Sequence, residues 1–228
     1  MTSGTRTGIA WLVTVAAIGV AAAEDTARPA AAAEHRSFAD VEHWARVFDD
    51  PKRREWQKPV EVLDLLGIAP GEVVADIGAG TGYFTGLLSI AVGESGKVYA
   101  VDVEQAMLDH ILTRDDIHPE LVQPLLAAPD DPRLPAGGVD LALVVNTWHH
   151  IQDRPGYLRK LATALGSSGR LVIIDYHEGE LPVGPPPGQK LSRESVVAEL
   201  ETAKWTLGSE SVLLPYQYFL TFYPPRKR

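Results

Sequence analysis

The stretch "VVADIGAGTGYF", Val73 to Phe84, carries the densest chemical pattern in the chain. A run fit for a buried strand ends in Asp76 and then in glycines at 78, 80 and 82. Glycine tolerates positive φ and lets another molecule approach the main chain closely. A helix starting near Thr81 would aim free N–H groups and the positive end of its dipole at that point. Such a loop suits a carboxylate or a pyrophosphate. The stretch "KVYAVDV" follows, with Asp102 at the tip of a second strand, where a carboxylate can accept bonds from two vicinal hydroxyls. Asp76 can line the same loop or tie down its N–H groups.

A second group of polar residues closes two later apolar runs. "NTWHHI" puts Asn146, His149 and His150 after one strand, and "DYH" puts Asp175, Tyr176 and His177 after the next. Imidazoles are the usual proton acceptors near neutral pH. His149, His150 and Tyr176 are therefore the catalytic candidates, with His149 ahead. The bland alternative for each is a packing, capping or solvated side chain.

Strands must alternate with helices to bring these tips to one edge. The periodicities predict strands over 73–77, 97–103, 121–127, 139–148, 170–177, 210–215 and 216–223. Between them lie helices over 81–93, 104–115, 154–165 and 192–203, the last capped by Ser192 rather than Ser195. "GSSG" closes the third of these, and two helices, punctuated by Pro51 and Pro59, precede the first strand over 38–66. The last two strands have no helix between them and can pair only as a hairpin. The predicted fold is α/β: a Rossmann-like, doubly wound, seven-stranded mixed sheet with one antiparallel strand at the C-terminal edge. The Pro/Gly-rich insert 179–190 falls beyond a strand tip, on the ligand side.

Composition narrows the function. The 228 residues are 45% hydrophobic and 22% charged, with a net charge of -9, a poor basis for holding nucleic acid. No cysteine is present, which removes disulfides, thiolate metal sites and cysteine nucleophiles. Residues 1–23 read as a signal peptide or membrane anchor: Arg6, an uncharged apolar run over 8–23, and small residues at 21–23. Residues 24–37 read as an Ala-rich linker, and 38–228 as the functional domain with a helical lid over 38–66. Export is the expected localisation, with membrane attachment only if the N-terminal segment stays uncleaved.

"VVADIGAGTGYF", "VYAVDVEQAML" and "LPAGGVDLALVVNTWHHI" together resemble the class I S-adenosylmethionine-dependent methyltransferases, and are most similar to the small-molecule branch with the ubiquinone/menaquinone-type enzymes. The resemblance implies S-adenosyl-L-methionine as cofactor and a small-molecule methyl acceptor. By it, Gly78, Ala79 and Gly80 would line the methionine moiety beside Asp76 and Gly82. Asp102 would hold the ribose, Val103 would pack on adenine, and Asp130 or Asp131 would meet the adenine amino group. Asn146 would stand beside the transferred methyl, its carbonyl groups holding an ammonium or the nucleophile's proton. Catechol-type relatives place an acid there to hold Mg²⁺; with Asn146 instead, no metal is expected. Two other readings remain open at this point: a protein that binds the cofactor without turnover, and an NAD-dependent oxidoreductase, which the G-x-G-x-G spacing and the closing hairpin oppose.

Overall fold

The computed structural model describes residues 1–2, 38 and 40–226. The signal, anchor and linker readings therefore lie outside the described residues, apart from the first two positions. Residues 37–228 form one compact unit.

Apolar runs with β-branched residues form the sheet: β1 (Val73–Ile77), β2 (Lys97–Asp102), β3 (Val122–Leu126), β4 (Val139–Val145), β5 (Leu165–Tyr176), β6 (Thr206–Ser211) and β7 (Gln217–Tyr223). The strand order is β3-β2-β1-β4-β5-β7-β6. The first five strands are parallel, and β7 runs antiparallel to both β5 and β6. The fold class is the expected one, and the reversed strand sits one place in from the edge. The chain reverses between β1 and β4, the place where open sheets of this kind bind ligands.

Both faces of the sheet are covered, so the central strands are continuously apolar rather than alternating. On one face, Leu141, Leu143, Val172 and Ile174 pack with Val62, Phe84 and Leu88. On the other, Ala142, Val144, Leu171 and Ile173 pack with Leu158, Leu161, Val196 and Trp205. Apart from Trp205, which follows the last of them, those side chains come from helices α3 (Pro59–Leu66), α4 (Tyr83–Val92), α6 (Arg154–Ala164) and α7 (Arg193–Thr202). Helix α5 (Gln105–Ile111) adds Leu108 and Ile111 to the first layer.

Several local readings change. The segment before β1 holds three helices rather than two: α1 (Val41–Phe48), the short α2 (Arg53–Gln57), and α3. Lys58, in the left-handed region at φ 45°, separates α2 from α3, whose first residue is Pro59. Helix α4 begins at Tyr83, because Gly82 at φ 87° cannot be its first helical residue. "GSSG" lies inside β5, beside a bulge against Val139–Leu141, rather than ending α6. Strand β6 is the polar "TLGSES", four residues before the apolar stretch expected to form it. As an exposed edge strand it needs no apolar face, and Leu214 from the expected stretch packs into the core from the turn.

Ser192 is the cap of α7: its Oγ accepts the Ser195 N–H at 3.0 Å. Replacing Ser192 with alanine is expected to cost about 1 kcal/mol of unfolding free energy, and Ser195→Ala much less, as read from urea denaturation.

Candidate active site

Because β1, β2, β4 and β5 are adjacent and parallel, their C-terminal tips share one edge, and nearly every candidate residue falls there. The glycine loop is hung on the tip of β2. Gly78 and Ala79 donate N–H bonds to the Val101 carbonyl at 2.8 and 3.1 Å, and Gly80 donates to Asp102 Oδ2 at 2.8 Å. Gly82 N–H goes to the Ala79 carbonyl. These bonds hold the loop's shape. The loop offers close approach. Gly78, at φ 72°, packs so tightly on Thr147 that an added Cβ would lie 2.2 Å from its Oγ1, which locks the β1 loop to the β4 tip.

Asp102 Oδ1 accepts the Glu104 N–H at 3.0 Å, so both carboxylate oxygens carry backbone bonds, and the carboxylate still has lone-pair capacity for a hydroxyl. Burial raises its pKa, opposed by the bonds from Glu104, Gly80 and Val103. Val103 is half-buried beside it. Asp76 is buried on β1 with Oδ2 accepting from Thr85 Oγ1 at 2.7 Å, so its partner is helix α4 and not the loop's N–H groups. Burial pushes its pKa up to about 6; the Thr85 bond and Arg53 lower it, and Asp102 raises it.

The lid lies over this edge. Helix α1 buries no residue fully; Trp44 and Phe48 form an aromatic cluster with Phe38, with ring centroids 4.8–6.0 Å apart. Phe48 stands 3.6 Å from the position of an added Cβ on Gly80. Asp49 pins the end of α1, accepting from Thr81 Oγ1 at 3.1 Å and pairing with Arg114 at 3.0 Å. Phe48 thus lies against the glycine loop with Trp44 stacked on it, and neither is fully buried. From α2, the half-buried Arg53 lays its guanidinium 3.9 Å over the Tyr83 ring and donates to the Phe48 carbonyl at 2.8 Å. Trp56, from the same helix, meets Tyr176 and Tyr216 at 6.0 and 6.4 Å.

On the other side of the edge, Asp175 organises the tips of β4 and β5. His149 Nδ1 lies 2.9 Å from both of its oxygens, and the N–H groups of His149 and Tyr176 donate to Oδ2 and Oδ1 at 3.2 and 2.9 Å. The His149 and Asp175 side chains are 5% and 2% exposed. With Nδ1 occupied, Nε2 is the ring nitrogen that can take a proton. His150 is exposed, 4.1 Å from the His149 ring and edge-on to Phe38 at 5.8 Å. Tyr176 is buried, and desolvation pushes its hydroxyl up to about 12 against the lowering effect of Arg53. It is a hydrogen-bond donor near neutral pH and not a base. The insert 179–190 folds onto it: an added Cβ on Gly184 would touch its ring at 2.6 Å, and Lys190 Nζ closes the insert on the Gly179 carbonyl at 2.9 Å. His177 is exposed, its N–H bonded to the Tyr216 carbonyl.

Two candidates are corrected in detail. The side-chain carbonyl of Asn146, expected to face a ligand ammonium, accepts from Gln217 Nε2 instead, while Asn146 itself adopts φ 57°. Asp130 is turned outward, its carbonyl and carboxylate both on Lys160. Asp131, half-exposed, accepts the Arg133 N–H at 2.8 Å and raises the pKa of the buried Tyr157 hydroxyl, as does Asp102. Asp131 also lies 3.4 Å from Lys160 Nζ, so the same lysine reaches both acids. Asp175 was legible as an acid closing an apolar run, and Gln217 as a lone amide in "YQYFLTFY"; neither spacing revealed its partner.

Residues 75–173 match the methyltransferase domain family. The ubiquinone/menaquinone biosynthesis C-methyltransferase UbiE of Vibrio vulnificus is 28% identical over 118 residues, 50% of this chain and 45% of that one. The chain thus spans about half the length of the curated relatives it matches. The crystal structure of a SAM-dependent methyltransferase from Aquifex aeolicus is 29% identical, with a TM-score of 0.75 over 82% of this chain and 98% of that one. The DhpI–SAH complex shares the fold at 16% identity, with a TM-score of 0.62 over 83% and 96% of the two chains. By the domain matched over residues 75–173 and the fold shared with the Aquifex aeolicus structure, the chain is similar to the S-adenosylmethionine-dependent methyltransferases, and S-adenosyl-L-methionine is the cofactor that this similarity supports.

Proposed function

We propose that the chain transfers a methyl group from S-adenosylmethionine to a small-molecule acceptor bearing an ionisable proton, with His149 as general base and Asp175 as the residue that orients it. One observation carries the reading: the buried Asp175 carboxylate grips His149 Nδ1 through both oxygens at 2.9 Å, which leaves Nε2 to accept a proton. The similarity to UbiE over half the chain supports the small-molecule branch. The acidic surface and the aromatic lid agree with a compact, partly apolar acceptor.

The residues present fit the cofactor. When bound, it supplies an electrophilic methyl group on a sulfonium. Asp102 keeps lone pairs for the ribose hydroxyls, the main chain at Gly78, Ala79 and Gly80 lines the amino-acid end with Asp76, and Asp131 answers the adenine amino group. The buried Asp76 and Asp102 carboxylates at this edge favour a cationic ligand. The lid residues exclude water and hold the reacting partners in line, and alignment of this kind can supply about 7–11 kcal/mol of a barrier. Residues 1–23 add an export signal to the proposal, tested by cell fractionation with N-terminal sequencing.

Two further measurements test it. His149→Ala is expected to lower kcat by about 10²–10⁴-fold, and Asp175→Asn to lower it in the same direction, with S-adenosylhomocysteine affinity by calorimetry little changed. Unchanged turnover in His149→Ala would sink the base. Asp76 holds its proton up to about pH 6 in the free protein. A cationic ligand beside it lowers that pKa, so cofactor binding should release close to one proton at about pH 5 and almost none above about pH 7, as read from calorimetry in buffers of different ionisation enthalpy.

A further inference from the structure

Behind the strand tips runs a line of side-chain amides drawn from three distant parts of the chain. Arg53 Nε donates to Gln57 Oε1 at 3.4 Å, Gln57 Nε2 donates to Gln217 Oε1 at 2.6 Å, and Gln217 Nε2 donates to Asn146 Oδ1. Gln57 and Gln217 are 0% exposed. Gln217 reaches this place because β7 pairs with β5 in the register that sets it opposite Tyr176.

The direction of the line is fixed by chemistry. Arginine has donors and no acceptor, so the oxygen of Gln57 must face Arg53 and its nitrogen must face Gln217. Turning any one amide over would set two oxygens, or two N–H groups, against each other inside the protein and leave buried polar groups unsatisfied. The orientation therefore passes from residue to residue and ends at Asn146. There the oxygen is turned to Gln217, and Nδ2 with its two hydrogens is the group left to offer. The cation at the head of the line polarises each amide in the same sense and strengthens the last donor.

We propose that this relay makes Asn146 a hydrogen-bond donor to the acceptor's reacting group, so that the site selects acceptors that become oxyanions, namely phenols and enols, over amines. The inference rests on the methyl-transfer reading above and deepens it. The acceptor's O–H bond breaks, its proton passes to His149 Nε2, and the electron pair stays on the acceptor oxygen, where Asn146 Nδ2–H meets it. Tyr176, opposite Gln217 and protonated near neutral pH, supplies a second donor at the same strand tips. An amine nucleophile would instead need an acceptor at Asn146 for its own N–H, and the relay turns that oxygen to Gln217. Gln57 and Gln217 are positioning residues in this scheme: they touch no substrate and fix which end of Asn146 does.

The test measures preference rather than activity. Protein saturated with S-adenosylhomocysteine is titrated, with ligand-observed NMR, against matched fragment pairs: 4-nitrophenol and 4-nitroaniline, 2-naphthol and 2-naphthylamine, and 1,3-cyclohexanedione and its 3-amino enone. The wild type is expected to favour the oxygen member of each pair by about tenfold, the worth of one hydrogen bond to a charged group. Gln217→Glu still accepts from Gln57 and can no longer donate to Asn146, so the ratio should fall towards one while S-adenosylhomocysteine affinity holds. Asn146→Asp, which keeps the shape and removes the donor, should invert the preference, and it decides the matter if the Gln217 variant does not fold. A preference for the amines, a ratio unmoved in both variants, or no bound oxygen fragment at all overturns the proposal. Loss of S-adenosylhomocysteine binding in the wild type would instead defeat the methyltransferase reading beneath it.

Discussion

The site depends first on a carboxylate holding a loop. Asp102, at the end of β2, accepts the Gly80 N–H, and the Val101 carbonyl just before it takes the N–H groups of Gly78 and Ala79. Without those bonds the turn after β1 would be a run of permissive glycines with no single shape. With them, the loop stands at a fixed height above the sheet, close enough to Thr147 that no side chain fits between. The end of α1 and the tip of β4 are both positioned from it. Asp49 reaches the loop through Thr81, and Phe48 lies over Gly80.

A second carboxylate plays the matching part on the other half of the edge. Asp175 ties the β5 tip to the segment after β4 by holding His149 at both its main-chain nitrogen and its ring. The two halves differ in what their acids leave over. Asp102 is satisfied by backbone and retains capacity for hydroxyls, which suits recognition. Asp175 spends its capacity on an imidazole, which suits proton transfer. The division between binding and chemistry follows from which donors each strand tip can present.

How much of this was legible in the sequence depended on distance along the chain. The glycine loop, Asp76 and Asp102 were readable because their geometry is local: a strand, a bare turn and the next strand tip. His149 was readable by type and place, while its pairing with Asp175 needed the β4–β5 register. The Gln57–Gln217 bond joins residues 160 apart, and no periodicity encodes it. Strand β6 escaped because an exposed edge can be polar throughout, so the alternation that marks strands elsewhere is missing from "TLGSES". Helix α1 showed helical spacing of aromatics, which fits a core face and a lid face equally well. Only the position of Phe48 over Gly80 decides between them.

The placement of β7 between β5 and β6 bears on how the protein comes into being on the ribosome. Domains condense as their segments emerge, N-terminal parts first. Strands β1, β2 and β4 can associate, and the nucleotide half of the cleft can take shape, while the final residues are still being added. Gln217 arrives after β1 to β5 and slots beside a strand that already has one neighbour. Until it does, Asn146 lacks the partner that tells its oxygen from its nitrogen, so the line of amides is complete only once β7 is in place.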